Sequence, residues 1–136
     1  MGEYQQKGLV GVLFDTFSPF DIEDIAHPNE NLLIVLQSLS QHPWLVKRII
    51  QADKGKSGHF SITIHPRHNP KVITTDSYLP IESNTGQPVF VADKKEGWPM
   101  LIQKALAKHQ GSYVGLNEVG PGDLIETLTG WPVVRR

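Results

Sequence analysis

Apolar residues recur with helical spacing in several parts of the chain. The clearest pattern is Trp98–His109, where apolar positions three and four residues apart form a single stripe. Pro99 suits the first turn of this helix, and Gly111 suits its exit. Residues 31–40 are apolar around most of a helical circumference. We therefore expect them to form a central helix that is buried on most sides.

Two further helices are predicted near these segments. One begins at Pro43, and the other covers Gly122–Leu128 and stops at Gly130. The helix that begins at Pro43 is expected to place its apolar residues inward and two basic residues outward. The inward set is Trp44, Leu45, Ile49 and Ile50, and the outward pair is Lys47 and Arg48.

The middle of the chain changes to the period-two pattern of strands. His59–His65 alternates and is rich in β-branched residues, Lys71–Thr75 is its expected partner, and Pro88–Ala92 is a third strand. Residues 51–58 are polar and contain glycine, which favours a connection. Helices at both ends and strands between them predict an α+β fold with a small antiparallel sheet.

The composition removes several classes of function. Basic and acidic residues number 13 and 14, so no broad positive field predicts a nucleic-acid partner. Apolar runs are too short for membrane insertion, and we expect a cytoplasmic protein. The chain has no cysteine, which rules out disulfides, thiolate metal sites and thiol catalysis within it.

Five motifs occur in an order that resembles the first lobe of the calpain cysteine-protease core. They are Asp76–Pro80, Val89–Val91, the helix pattern of residues 96–108, Gly111–Tyr113 and Leu128–Trp131. The resemblance implies an N-terminal extension over residues 1–19 and a calpain-like lobe over residues 20–136. The catalytic His and Asn of calpains lie on a second lobe, which we expect to be absent because the chain ends soon after Trp131.

The resemblance also gives positions for the catalytic groups of the first lobe. In a gapless alignment the nucleophilic cysteine falls on Glu30, and the glutamine of the oxyanion hole falls on Asp24. A carboxylate is a poor nucleophile toward amides, and an ionised Asp offers no donor to a developing oxyanion. These two degenerate positions predict a catalytically inactive protein. A hydrolase that uses Glu30 with His27 is a distant alternative.

Calcium is the one cofactor that the resemblance leaves open. The calcium site of the calpain first lobe falls on Asp21 and Glu96, with backbone carbonyls near residues 14–16. The simpler interpretation is that Glu96 caps a helix and Asp21 is solvated, so that no cofactor is bound. A zinc site from His59, His65 and His68 is a further alternative to exposed histidines in a turn.

The expected function is that of a protein-binding or structural module. Without its second lobe, a calpain-like lobe exposes apolar surface, and such patches usually mark partner sites. We predict a partner-binding patch at Trp131, Pro132, Val133 and Val134, and near residues 24–31. Inactive relatives imply a cytoskeletal or flagellar assembly as the location. The alternative function is a calcium-responsive regulatory domain.

Overall fold

The computed structural model describes most of the chain and confirms the α+β architecture. The described residues are 4–8, 13–14, 17–19, 22–23, 29–53, 55, 58–76, 78–82, 92–93 and 97–132. The helices are α1 (Glu30–Leu39), α2 (Pro43–Ile49), α3 (Trp98–Gln110), α4 (Tyr113–Leu116) and α5 (Pro121–Thr129). The strands are β1 (Tyr4–Gly8), β2 (Ile22–Glu23), β3 (Ile50–Ala52), β4 (His59–Ile64), β5 (Lys71–Asp76), β6 (Tyr78–Glu82) and β7 (Ala92–Asp93).

The core forms where α5 packs against α1 and β4, and where α3 packs against β5. Side chains from each of these elements are completely or almost completely buried, including Leu36, Trp98 and Leu124. Burial of each such side chain contributes about 1.5–3 kcal/mol relative to an exposed position. The expected central position of α1 is confirmed, because four of its residues are buried: Leu32, Val35, Leu36 and Leu39.

A three-stranded antiparallel sheet, in the order β3–β4–β5, occupies the middle of the chain. Ile62 of β4 lies between Ile50 of β3 and Ile73 of β5, and all three are buried. The partnership of β4 with β5 was predicted from the sequence. The strand β3 was not, because Gln51 and Ala52 are exposed and only backbone pairing marks them as a strand.

Two short antiparallel pairs complete the described strands. The strand β1 pairs with β6, and β2 pairs with β7. Most of the strand expected at Pro88–Ala92 lies outside the described residues, although Ala92 begins β7. Because β1 belongs to residues 1–19, this segment contributes a strand to the lobe; the division at residue 20 stays a prediction.

The prediction for Trp44 was wrong, since its side chain is 53% exposed. Leu45, Val46 and Ile49 fill the inner side of α2. Residues three and four apart share a helical face, so Trp44 lies on the same side as the exposed Lys47 and Arg48. The spacing of the two basic residues therefore already indicated where Trp44 lies.

Candidate functional site

The start of α1 is the position at which the resemblance places a nucleophile. Asn29 is buried and caps the helix, because its Oδ1 accepts a hydrogen bond of 3.1 Å from the backbone N–H of Leu32. Glu30 is the first residue of α1 and is exposed. The positive end of the helix dipole stabilises a carboxylate there. This carboxylate accepts hydrogen bonds but does not attack amides readily.

The exposed side of α1 continues from Glu30 along the helix. Ile34, one turn further on, is 56% exposed, and Ser38, one turn beyond it, is also exposed. These three residues form a stripe that the described part of the protein leaves uncovered. Asp24 and His27, the predicted oxyanion position and the alternative base, lie outside the described residues.

The helix that carries most of the family resemblance is fastened to strand β5 by polar contacts. Lys104 of α3 forms an ion pair with Asp76 and donates to the backbone carbonyl of Tyr78. Lys108 donates to the carbonyl of Thr74 at 2.8 Å. We call the contacts between α3 and residues 71–78 the α3–β5 seam.

The seam also covers part of the free edge of the sheet. The strand β5 is an outer strand, and unpaired edge carbonyls are a liability that proteins cover or charge. Lys108 donates a hydrogen bond to one of these carbonyls, and Lys71 of β5 donates to Nδ1 of His109 at 3.1 Å. The motif lysines therefore have a structural role in this lobe.

One carboxyl and one imidazole group at the seam, and one tyrosine hydroxyl near it, have shifted pKa values. The hydrogen bond from Lys104 lowers the pKa of the Asp76 carboxyl below its usual value. Desolvation, and then the charge of Lys71, lowers the pKa of the His109 imidazole. Burial raises the pKa of the Tyr113 hydroxyl, so this group stays neutral. Acidification therefore weakens both ends of the seam.

A pair of exposed tryptophans forms the second candidate site. The ring centroids of Trp44 and Trp131 lie 6.1 Å apart with the planes inclined at 40°, and Trp131 is 51% exposed. Together with the exposed Lys47 and Arg48 of α2 and with Pro132, they form what we call the tryptophan face. Trp131 and Pro132 belong to the predicted partner patch; Val133 and Val134 lie outside the described residues.

A hydrogen bond and a glycine fix the backbone around Trp131. The Oγ1 of Thr129 accepts a hydrogen bond of 3.1 Å from the N–H of Trp131. Gly130 has a φ of 77°, and a Cβ at this position would lie 2.9 Å from Cγ of His65. Both the left-handed backbone and the close approach of the His65 ring require glycine. The Leu-Thr-Gly-Trp motif thus presents its tryptophan at the surface.

Lys47 connects the tryptophan face with the interior. Its Nζ lies 6.0 Å from the ring centroid of Phe14 and 5.9 Å from that of Phe17, within the range of cation–π contacts. The Phe17 ring stacks on the buried Trp98 at 5.7 Å. These contacts hold the Lys47 ammonium at one edge of the tryptophan face.

The predicted calcium ligands Asp21 and Glu96 lie outside the described residues, but their neighbours come together. The carbonyl of Leu13 accepts a hydrogen bond of 3.3 Å from the N–H of Trp98, which brings the segment near Phe14 to the start of α3. Ile22 is paired with Asp93 in the β2–β7 ladder. Segments from three parts of the chain therefore converge at this corner.

The histidines do not form the zinc site that was considered from the sequence. His59 lies opposite Asp76 at one end of β4, whereas His65 follows the other end and packs on Gly130. Six residues of strand span about 20 Å, too far for one metal ion. Within the described ranges, no three His, Cys, Asp or Glu side chains are grouped so that they could hold a metal ion.

Trp44 is the residue of the tryptophan face that the sequence interpretation placed incorrectly. The helical spacing of Trp44 from Lys47 and Arg48 could have indicated its exposure. No sequence pattern could have indicated its proximity to Trp131, because the two residues are distant in the chain.

None of the helices among the described residues is both long and apolar enough to span a bilayer.

Comparison with known proteins agrees with the resemblance seen in the motifs. Residues 6–135 match the calpain family of cysteine proteases. A calpain from Schistosoma mansoni is 31% identical over 121 residues, which cover 83% of this chain and 16% of the relative. The chain therefore spans a small part of the length of that relative.

Proposed function

The chain belongs to the calpain family of cysteine proteases, and we propose that it is a catalytically silent lobe of that family which binds other proteins. The observation that carries the first half of this proposal is the identity of residue 30. Glu30 opens α1 where the family resemblance places the nucleophile, and the 136 residues contain no cysteine that a different alignment register would put there. The thiolate chemistry of the family therefore has no source in this chain.

The second half of the proposal is supported by exposed apolar surface. Large aromatic side chains that stay in water are costly, and clusters of them usually mark interaction sites. Trp44 and Trp131 are each about half exposed and contact each other. Ile34 on the stripe that begins at Glu30 is exposed as well. A binding partner that covers these side chains would remove them from water.

Catalytic silence is tested with the variant Glu30→Cys. A thiol at the first residue of α1 should have a pKa about half a unit below the usual value near 8.5, because the helix dipole favours the thiolate. The pH dependence of alkylation by iodoacetamide measures this pKa. The matched control is Ser38→Cys, an exposed site in the last turn of the same helix.

The same proteins are then assayed with fluorogenic peptides. We expect no turnover from the wild type, and fast alkylation without turnover from Glu30→Cys. Peptide hydrolysis by the purified wild-type chain would disprove catalytic silence. Equal thiol pKa values in Glu30→Cys and Ser38→Cys would show that residue 30 does not occupy a thiolate-stabilising position.

Protein binding is tested by quantitative affinity capture with three forms of the chain. Trp131→Ala should lose the partners that the wild type retains, since aromatic residues near the centre of an interface carry much of its energy. Val72→Ala, which shortens an exposed apolar residue on β5, serves as the control. Identical partner sets for the wild type and Trp131→Ala would refute a binding role for this face.

A calcium-responsive regulatory domain is the second candidate function. It is supported by the corner at which Leu13 meets Trp98 and Ile22 meets Asp93, since the neighbouring Asp21 and Glu96 would then supply carboxylates to one ion. An ion that binds only the folded state raises the melting temperature with its concentration.

The calcium candidate is tested by thermal melting in calcium and in magnesium. We expect a higher midpoint in calcium for the wild type and no change for Asp21→Ala or Glu96→Gln. Glu118→Gln removes an exposed carboxylate elsewhere and should respond like the wild type. A wild-type midpoint that is insensitive to calcium would eliminate this candidate.

The cellular location remains part of the proposal. The family analogy favours a cytoskeletal or flagellar assembly, and imaging of a tagged chain together with detergent extraction would test it. A chain that is fully extracted and shows no filament or flagellar pattern would argue against this location.

A further inference from the structure

We propose that the tryptophan face recognises an acidic polypeptide segment that carries an apolar anchor residue. This inference rests on the proposed binding function and specifies the chemistry of the partner. It depends on three features of the described residues: the geometry of the tryptophan pair, the charge around it, and the fixed position of one of the cations.

The two rings provide a place for a single apolar side chain. Their planes are inclined at 40°, so the rings form an open wedge rather than a closed stack. Each ring is about half exposed, which leaves one face or edge of each accessible. A proline or leucine side chain placed in such a wedge is desolvated on two sides. Pockets of this kind bind the anchor residues of protein interfaces.

The charged residues of α2, which lie next to the wedge, all have one sign. Lys47 and Arg48 are exposed one helical turn from Trp44, and α2 contains no acidic residue. No ion pair with a carboxylate is present at either cation among the described residues. The chain as a whole has a net charge of −1, so this face is a local positive region on a nearly neutral protein. Complementary potentials favour an acidic partner.

Two cation–π contacts distinguish Lys47 from an ordinary exposed lysine. The rings of Phe14 and Phe17 hold its ammonium at one edge of the face, which lowers the entropy lost when an anion binds. The neighbouring Arg48 can form two parallel hydrogen bonds with one carboxylate. Together they fit acidic residues that lie beside an apolar anchor.

An anionic membrane also attracts basic and aromatic residues, but the shape of this face favours a polypeptide. Helices that bind in the membrane interface present a long apolar side, whereas α2 has only seven residues and buries its apolar side in the core. The planes of the two exposed rings are inclined at 40° and do not form a flat surface. Vesicle binding is therefore an outcome that would contradict the proposal.

The test uses a labelled peptide in which aspartate and glutamate flank a central Pro-Leu pair. Its fluorescence anisotropy is followed during titration with the purified chain. Two control peptides change one feature each: Asn and Gln replace the acids, or Gly-Ser replaces Pro-Leu. We expect saturable binding of the first peptide, weakened by salt because exposed charges are screened, and at least about tenfold weaker binding of both controls.

Variants of the chain separate the two contributions. Trp131→Ala should weaken binding about tenfold at both low and high salt. Arg48→Glu should weaken it about fivefold at low salt and less at high salt. Val72→Ala and Lys71→Glu make matched changes on β5, away from α2, and should bind like the wild type. Far-ultraviolet circular dichroism confirms that each variant is folded.

Equal binding of the acidic and neutral peptides, or no saturable binding, would overturn the proposal that the partner is an acidic polypeptide segment. Binding to phosphatidylserine vesicles without binding to the peptide would assign the face to a membrane surface and overturn it as well. A loss of captured partners in Trp131→Ala would still support the binding function in either case. An unchanged partner set would refute that function independently of the peptide result.

Discussion

The α3–β5 seam and the tryptophan face differ in whether their charged and aromatic side chains are covered by partners within the described residues. At the seam, Lys104 and Lys108 are paired with a carboxylate and with backbone carbonyls of the adjacent strand and the segment after it. At the tryptophan face, Trp44 and Trp131 stay half exposed beside cations that have no carboxylate partner among the described residues.

This difference separates the residues that carry the family resemblance from those on which the proposed binding function rests. Most of the residues that make the chain resemble calpains lie in α3 and directly after it, where they hold the helix against the sheet. Trp131 belongs to the same resemblance but lies at the surface, with its backbone held by Thr129 and Gly130. Family motifs can therefore support the fold in a chain without cysteine, whereas the proposed binding function rests on exposed side chains.

The largest expected contrast lies among the tryptophans. Trp98 is completely buried in the core, and Trp98→Ala should lower the free energy of unfolding by about 3–5 kcal/mol. Trp44→Ala on the tryptophan face should cost about 1 kcal/mol or less, because it removes only a partly exposed ring contact. Urea denaturation of both variants measures the difference. Similar losses would mean that the tryptophan face is part of the core.

The support beneath the tryptophan face is expected to matter more than the face itself. Gly130→Ala should lower the free energy of unfolding by about 1–3 kcal/mol, since an alanine there combines a positive φ with a clash against His65. Gly120→Ala is the matched control, because a Cβ at Gly120 meets nothing within 4 Å. Equal effects of the two variants in urea denaturation would contradict this account of Gly130.

A smaller effect is expected from the ion pair of the seam. A double-mutant cycle with Asp76→Asn and Lys104→Met should give a coupling energy of about 0.5–1 kcal/mol, because the Asp76 side chain is 45% exposed and solvent screens the pair. The coupling should fall in high salt. A coupling of zero at low salt would show that the seam depends on the carbonyl contacts alone.

The smallest effect concerns pH. A group whose pKa is lowered in the folded state contributes stability that is lost as pH falls through its folded pKa. The pKa of His109 is lowered in this way, so the free energy of unfolding should fall as the pH drops below about 6.5, the usual pKa of an unfolded histidine. The lowered pKa of Asp76 extends this loss of stability below about pH 4. His109→Gln keeps an acceptor for Lys71 and should flatten the upper part of the profile in urea denaturation. An unchanged profile would exclude His109 as a source of the pH dependence.

Helix prediction worked because burial and periodicity coincide in α1 and α3. It failed at Trp44 because an apolar residue was assigned to the interior by its type, although its helical neighbours Lys47 and Arg48 require the opposite side. The strand β3 was missed for a related reason, since its exposed residues carry no alternating pattern. Hydrogen bonding to β4 defines it, and that pairing is a tertiary property.

The sequence by itself determined the four longer helices and the absence of cysteine, because these follow from residue type and local spacing, and the order of its motifs resembled the calpain family. The tertiary structure decided which polar groups are satisfied. It paired Lys104 with Asp76 and brought Trp44 against Trp131, contacts between residues far apart in the chain. Such contacts depend on how helices pack against a sheet, and no local pattern encodes that packing.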